Sequence, residues 1–139
     1  MEVDEALRNL LPDDLIREAA RCGIEKISVG RWFDSFLNIF GMWRPESKEI
    51  LLDIGREEGL LALYRSRHPE LDVKASEVFE ILFLHELVHA GGIKDEGDVD
   101  RLAVQMFKER RDATKKKVLE EVKKGVREGL RTWFRREFL

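Results

Sequence analysis

The sequence predicts an α+β fold: a small mixed three-stranded sheet packed on a helix that carries a His-Glu-x-x-His run, followed by a helix with an acidic start and a C-terminal helix. Three observations lead there. Short runs rich in β-branched and aromatic residues cluster between residues 26 and 54. The segments on either side repeat apolar residues at helical spacing. A length of 139 residues suffices for one buried core.

From the N-terminus, Asp4 to Arg21 is amphipathic, with Leu7, Leu10, Leu11, Leu15 and Ile16 available for packing, and Pro12 is placed to break it in two. Lys26 to Phe33, Phe36 to Trp43 and Glu49 to Ile54 read as strands, the last two joined as a hairpin through Arg44-Pro45-Glu46-Ser47. Glu57 to Arg67 is helical and ends ahead of Pro69, which makes His68 a surface turn residue. Ser76 to Ala90 is a helix with Ser76 as N-cap and apolar residues on most sides, so it belongs in a core. Gly91-Gly92 ends it and turns the backbone. The next helix has Val99, Leu102, Ala103, Met106 and Phe107 on one face. In the C-terminal stretch Val118, Val122, Val126, Leu130, Phe134 and Phe138 recur every four residues, alongside Leu119 and Trp133, as the apolar stripe of a last helix.

Composition narrows the class. The mixed apolar and charged content is that of a soluble protein, and no uncharged apolar run approaches the roughly 20 residues needed to span a bilayer. Neither a signal peptide nor an integral membrane segment is expected. Cys22 is the one cysteine, so no internal disulfide forms; the expected setting is a reducing cytoplasm, with Cys22 a small buried side chain of the first helix. Charge is divided unevenly. Residues 108–139 hold 12 basic and 6 acidic residues, net +6, leaving 13 basic and 22 acidic in residues 1–107, net −9. The two parts should attract each other.

The run His85-Glu86-Leu87-Val88-His89 carries the chemistry. One helical turn separates the imidazoles, so both reach a single tetrahedral zinc ion, while Glu86 lies near enough to act as general base and acid on an activated water. On an otherwise apolar helix, three such polar groups would be stranded without a metal to satisfy them. The third ligand should come from Asp95, Glu96 or Asp98. Asp95 suits the N-cap of the next helix and Asp98 its capping-box partner, which frees Glu96 for the metal. Asp100, one turn after Glu96, is spaced to hydrogen-bond a ligand histidine and fix its tautomer. An alternative keeps Asp95 as ligand, through the metzincin-like pattern His85-Glu86-x-x-His89-x-x-Gly92-x-x-Asp95.

Glu96-Gly97-Asp98-Val99-Asp100-Arg101-Leu102-Ala103 resembles the glutamate-helix signature of gluzincin metallopeptidases, a glutamate ligand followed four residues later by an aspartate and then a small residue. The likeness is to the small soluble minigluzincins and to the catalytic domains of CAAX-type and HtpX-type membrane proteases. It extends upstream to Phe36–Trp43 and Glu49–Asp53, which resemble the strand pair preceding the zinc helix, and spans about Ile27 to Phe107.

That resemblance implies a zincin-like fold and a zinc metalloendopeptidase acting on peptide or protein substrates. It also implies an edge strand that binds extended substrate, here Asn38, Ile39, Phe40 and Gly41. Minigluzincins further imply latency, a C-terminal segment occupying the cleft in a zymogen-like state. Residues 1–112 would form the metallopeptidase domain and residues 113–139 an amphipathic basic helix. The alternative is a non-catalytic or regulatory zincin-like domain that binds a partner through this basic helix, a homodimer included. Nucleic acid is not the expected partner, since the basic residues also suit a solvated face. Tyr64, His68 and several arginines are candidates for stabilising an oxyanion.

Overall fold

The computed structural model describes the backbone of residues 1–31 and 39–138, and the side chains of residues 1–31 and 39–128. It is a mixed α+β structure with one four-stranded sheet in the order β1-β2-β4-β3. The strands are β1 (Glu2–Val3), β2 (Lys26–Val29), β3 (Gly41–Arg44) and β4 (Glu49–Leu52). β1, β2 and β4 run parallel, and β3 pairs antiparallel with β4. The helices are α1 (Glu5–Arg8), α2 (Asp13–Arg21), α3 (Glu57–Arg67), α4 (Val78–Ala90) and α5 (Glu96–Phe138).

The sheet has one strand more than the three expected. β1 is two residues long, too short for any hydrophobic period, and is held by bonds from Glu2 N–H to the Glu25 carbonyl and from Asp4 N–H to the Ile27 carbonyl. Asp4 also accepts from Val29 N–H at 2.7 Å. Pro12 breaks the first helical segment as expected, and Leu7, Leu11, Leu15 and Ile16 are buried while Leu10 is exposed. Cys22 corrects an expectation: it caps the C-terminus of α2 and is exposed.

The strands are shorter than their apolar runs. β2 stops at Val29, where Gly30 N–H turns to the Leu52 carbonyl; Trp32 and Phe33, at the end of the expected strand, lie outside the described residues. In the expected strand Phe36–Trp43, residues 36–38 are likewise outside, and pairing in the ladder begins only at Gly41. β4 ends at Leu52 because Asp53 accepts from Gly55 N–H at 3.2 Å and starts a 3₁₀ turn, Ile54–Arg56. Glu49 is buried within β4, where it accepts from Ser28 Oγ at 2.7 Å and faces Lys26 and Arg44 at 3.7 Å. Those partners offset its desolvation.

α3 has the expected bounds. α4 begins later than Ser76, which sits inside a 3₁₀ turn, Ala75–Glu77; here Lys74 N–H donates to Glu77 Oε1 at 2.9 Å, so the expected Ser76 cap is not made. α4 is apolar around its whole circumference and packs on β3, β4 and α3. Val78, Ile81, Phe83 and Leu84 are fully buried. Where a glutamate helix and a separate C-terminal helix were expected, one helix runs from Glu96 to Phe138. No proline interrupts it, and Thr114 Oγ1 bonds back to the Arg110 carbonyl at 2.9 Å.

The chain divides into two compact units, Met1–Phe107 and Lys108–Leu139. In the first, Val99, Ala103, Val104 and Phe107 of α5 are buried. In the second, Val118, Leu119, Val122 and Val126 are exposed. No helix among the described residues is long and apolar enough to cross a membrane.

Phe83 fixes α4 in the core. Phe83→Ala should lower unfolding stability by about 3–5 kcal/mol, read from the midpoint of urea denaturation; a loss under 1 kcal/mol would show that α4 is not so anchored.

Candidate metal centre

α4 sets His85 and His89 one turn apart, with ring centroids 5.0 Å apart and planes at 70°. Both side chains lie at the partly open end of an otherwise buried helix. Gly91 N–H bonds to the Leu87 and Val88 carbonyls, and Gly92 takes a φ of 101°, which its missing Cβ permits. This turn brings the Ile93 carbonyl to 2.9 Å from His89 Nδ1. Asp95 then caps α5 by accepting from Asp98 N–H at 2.9 Å. Glu96, the first helical residue, is thereby aimed back at α4.

The Glu96 carboxylate meets both imidazoles, with Oε2 at 3.0 Å from His85 Nε2 and Oε1 at 2.9 Å from His89 Nε2. One ligand atom from each residue lies within 4.8 Å of the others. Asp95, the alternative ligand, does not join this group among the described residues and serves as the cap. Asp98 gives its backbone N–H to that cap, but its carboxylate is taken by Arg101 at 2.8 Å rather than closing a capping box.

The donor chemistry fits a divalent cation. A carbonyl only accepts, so His89 Nδ1 carries the hydrogen of the Ile93 bond, and in the neutral ring Nε2 is then a lone pair. That lone pair faces a carboxylate oxygen at 2.9 Å. Two acceptors at this distance require a positive charge between them, a proton or a metal. His85, His89 and Glu96 could together hold one such cation. Burial lowers the pKa of His85 below the usual histidine value, against the raising effect of Glu96, which favours the neutral ring that ligates metal.

Glu86, between the two histidines in sequence, is only 5% exposed. Burial, reinforced by Glu96 and opposed by His89, pushes its pKa up to about 7, so the carboxyl keeps its proton to far higher pH than a solvated glutamate. Gly41, opening β3, makes room for it. A Cβ there would stand 3.0 Å from Glu86 Cγ and Oε1.

Glu86 borders a cavity of ≈ 350 Å³ that also meets His85, Glu96, Leu60, Tyr64 and Arg67. Of the expected substrate strand, Ile39, Phe40 and Gly41 line this cavity, and Asn38 lies outside the described residues. Phe40 is mostly committed to packing: it is 7% exposed and the Arg56 guanidinium covers its ring at 4.3 Å. Arg56 also donates to the Ile39 carbonyl at 2.9 Å. A second depression shares Ile39, Gly41, Glu86 and Glu96 and continues past His89 to Met42, Trp43 and Ile93. The cleft therefore opens on both sides of the His/Glu group.

Asp100 departs from its expected role. Its Oδ2 accepts from His68 Nε2 at 2.7 Å, not from a ligand histidine, although its charge still acts to raise the pKa of His85. His68 is correspondingly half-buried rather than a surface turn residue. The pair joins the end of α3 to α5 across 32 positions of sequence, and nothing local signals it. Tyr64, from α3, is buried in the same wall; burial first, then Asp100 and Glu86, raise its pKa and hold the phenol proton.

Comparison with protein-family models, curated proteins and solved structures returned no match.

Glu96→Ala should weaken zinc binding, measured by competition with a chromophoric chelator, by more than tenfold. Asp95→Ala should leave that affinity unchanged and cost about 1 kcal/mol of stability through the lost cap. The reverse pattern would transfer the ligand role to Asp95.

Proposed function

We propose that this chain is a zinc-dependent metallopeptidase that hydrolyses internal peptide bonds of polypeptide substrates. The observation that carries the reading is the Glu96 carboxylate set against both imidazole Nε2 atoms, beside a buried Glu86 that opens on a cleft. His85, His89 and Glu96 would hold the ion. When bound, zinc supplies Lewis-acid polarisation of a carbonyl and lowers the pKa of water toward about 7.

The chain's own groups do the rest. Glu86, with its carboxyl tuned close to neutrality by burial, takes a proton from the attacking water and delivers it to the leaving amine. Among the described residues β3 lies at the sheet edge, and it lines the cleft, a position that suits an extended peptide added as a further strand. A cleft open on both sides of the site suits an endopeptidase. The sheet, α4 and the start of α5 support a zincin-like fold, and the run from Glu96 to Ala103 supports a gluzincin. A single cysteine suits a reducing compartment, the cytoplasm.

A second reading is favoured by one observation. The exposed Val118, Leu119, Val122 and Val126, interleaved with basic residues, suit a helix that binds a partner, a second copy included. In that case the domain is regulatory, and salt-sensitive binding without turnover would be seen.

The deciding assay is hydrolysis of casein, inhibited by a chelator. Glu86→Gln should keep the zinc and lose roughly 100- to 10,000-fold in rate; full activity in that variant would remove Glu86 from the mechanism. If the basic segment keeps the enzyme latent, truncation before Thr114 should raise casein turnover. Unchanged turnover in a folded truncated protein would end the latency proposal.

A further inference from the structure

The cleft contains a cation that the chemistry above does not use. Arg67, the last residue of α3, lines the same cavity as Tyr64, His85 and Glu86. Other arginines of this region are committed to the fold: Arg65 Nε donates to the Val73 carbonyl at 3.1 Å, and Arg56 is held by Ile39 and Phe40. Arg67 forms neither a hydrogen bond nor an ion pair among the described residues. Of the three carboxylates that line its cavity, Asp100 bonds His68, Glu96 faces the two histidines and Glu86 is buried, and none is ion-paired with Arg67 among the described residues.

The Arg67 charge nonetheless reaches the Tyr64 phenol, where it opposes the burial and acidic neighbours that retain the proton. Two donors thus line one cavity, a guanidinium with no ion pair among the described residues and a phenol that stays protonated. Leu60, Leu63 and Leu82 supply apolar walls. A planar guanidinium fork beside a hydroxyl donor complements a carboxylate, and low-polarity walls strengthen the contact.

We propose that Tyr64 and Arg67 form a carboxylate-recognition subsite at the α3 end of the cleft, which takes the free C-terminus or an acidic side chain of a peptide substrate. The assignment rests on the peptidase reading and deepens it. Seating a charged group at a fixed distance from Glu86 sets the register in which the chain presents its bonds, so Arg67 determines specificity without touching the reacting atoms.

Binding to the full-length, zinc-loaded Glu86→Gln protein tests this without turnover. The probes are N-acetylated hexapeptides of alanine and leucine as free acids, as C-terminal amides, and as amides carrying glutamate at each position in turn. Calorimetry should show at least one acidic form binding roughly tenfold to a hundredfold tighter than the neutral amide. The form that gains identifies the source of the carboxylate. Adding Arg67→Met should erase the difference while leaving the neutral amide's affinity unchanged, and Arg67→Lys should restore part of it. Equal binding of acid and amide, a preference that survives Arg67→Met, or no peptide binding overturns the subsite. Casein turnover by the parent protein and by its truncation before Thr114, followed in parallel, separates the two levels: turnover without an acid preference removes the subsite alone, whereas absent turnover in both folded proteins removes the peptidase reading beneath it.

Discussion

A carboxylate set against two imidazole nitrogens is the interaction around which α4, the following turn and the start of α5 are arranged. The Ile93 carbonyl fixes the hydrogen of His89 on Nδ1, so the facing Nε2 and Glu96 oxygen are two acceptors at 2.9 Å. The Gly92 turn and the Asp95 cap set the start of α5, from which the largely exposed Glu96 side chain reaches the imidazoles. A proton or a metal ion between them removes the conflict, and the three side chains could hold such an ion.

The same helix carries two opposite demands. Its apolar circumference seats it against the sheet and α3, which makes it rigid, and one end of it must nonetheless expose His85 and His89. Glu86 falls on the inward side, and the cost of burying its charge appears as a raised pKa, the property a proton-transferring group needs near neutrality. Gly41 is the counterpart on β3: the backbone passes so close to Glu86 that a side chain would displace it. Strand and helix thus share one cleft wall, and β3 is the edge strand among the described residues.

Much of this was legible in the sequence, for identifiable reasons. The spacing of His85, Glu86 and His89 on an apolar run, and the glycine pair after it, are local signals, and so were α3 and the break at Pro12. Capping logic also separated Glu96 from Asp95, because an N-cap engages its own helix and cannot face outward to α4 as well. What failed was non-local. The His68–Asp100 bond joins residues 32 apart, and β1 is two residues long; neither leaves a periodic trace. Among the described residues, Gly30, Arg31, Ile39, Phe40, Asp53 and Ile54 lie outside the strands expected to include them, because local turns end the ladder where the sequence pattern carries on. The join between the glutamate helix and the C-terminal helix was missed for the opposite reason, since a continuous helix has no boundary residues to read.

The turn from Gly91 to Asp95 has a further consequence. All three candidate ligands lie within residues 85–96, so an ion can be gripped once two helical ends have formed, with almost no loop-closure entropy to overcome. The environment of Glu86 is different, for it depends on Gly41 arriving from 45 positions upstream in the sheet. The candidate ligands are thus gathered by a short local stretch of chain, whereas the burial of Glu86 waits on the assembly of the sheet.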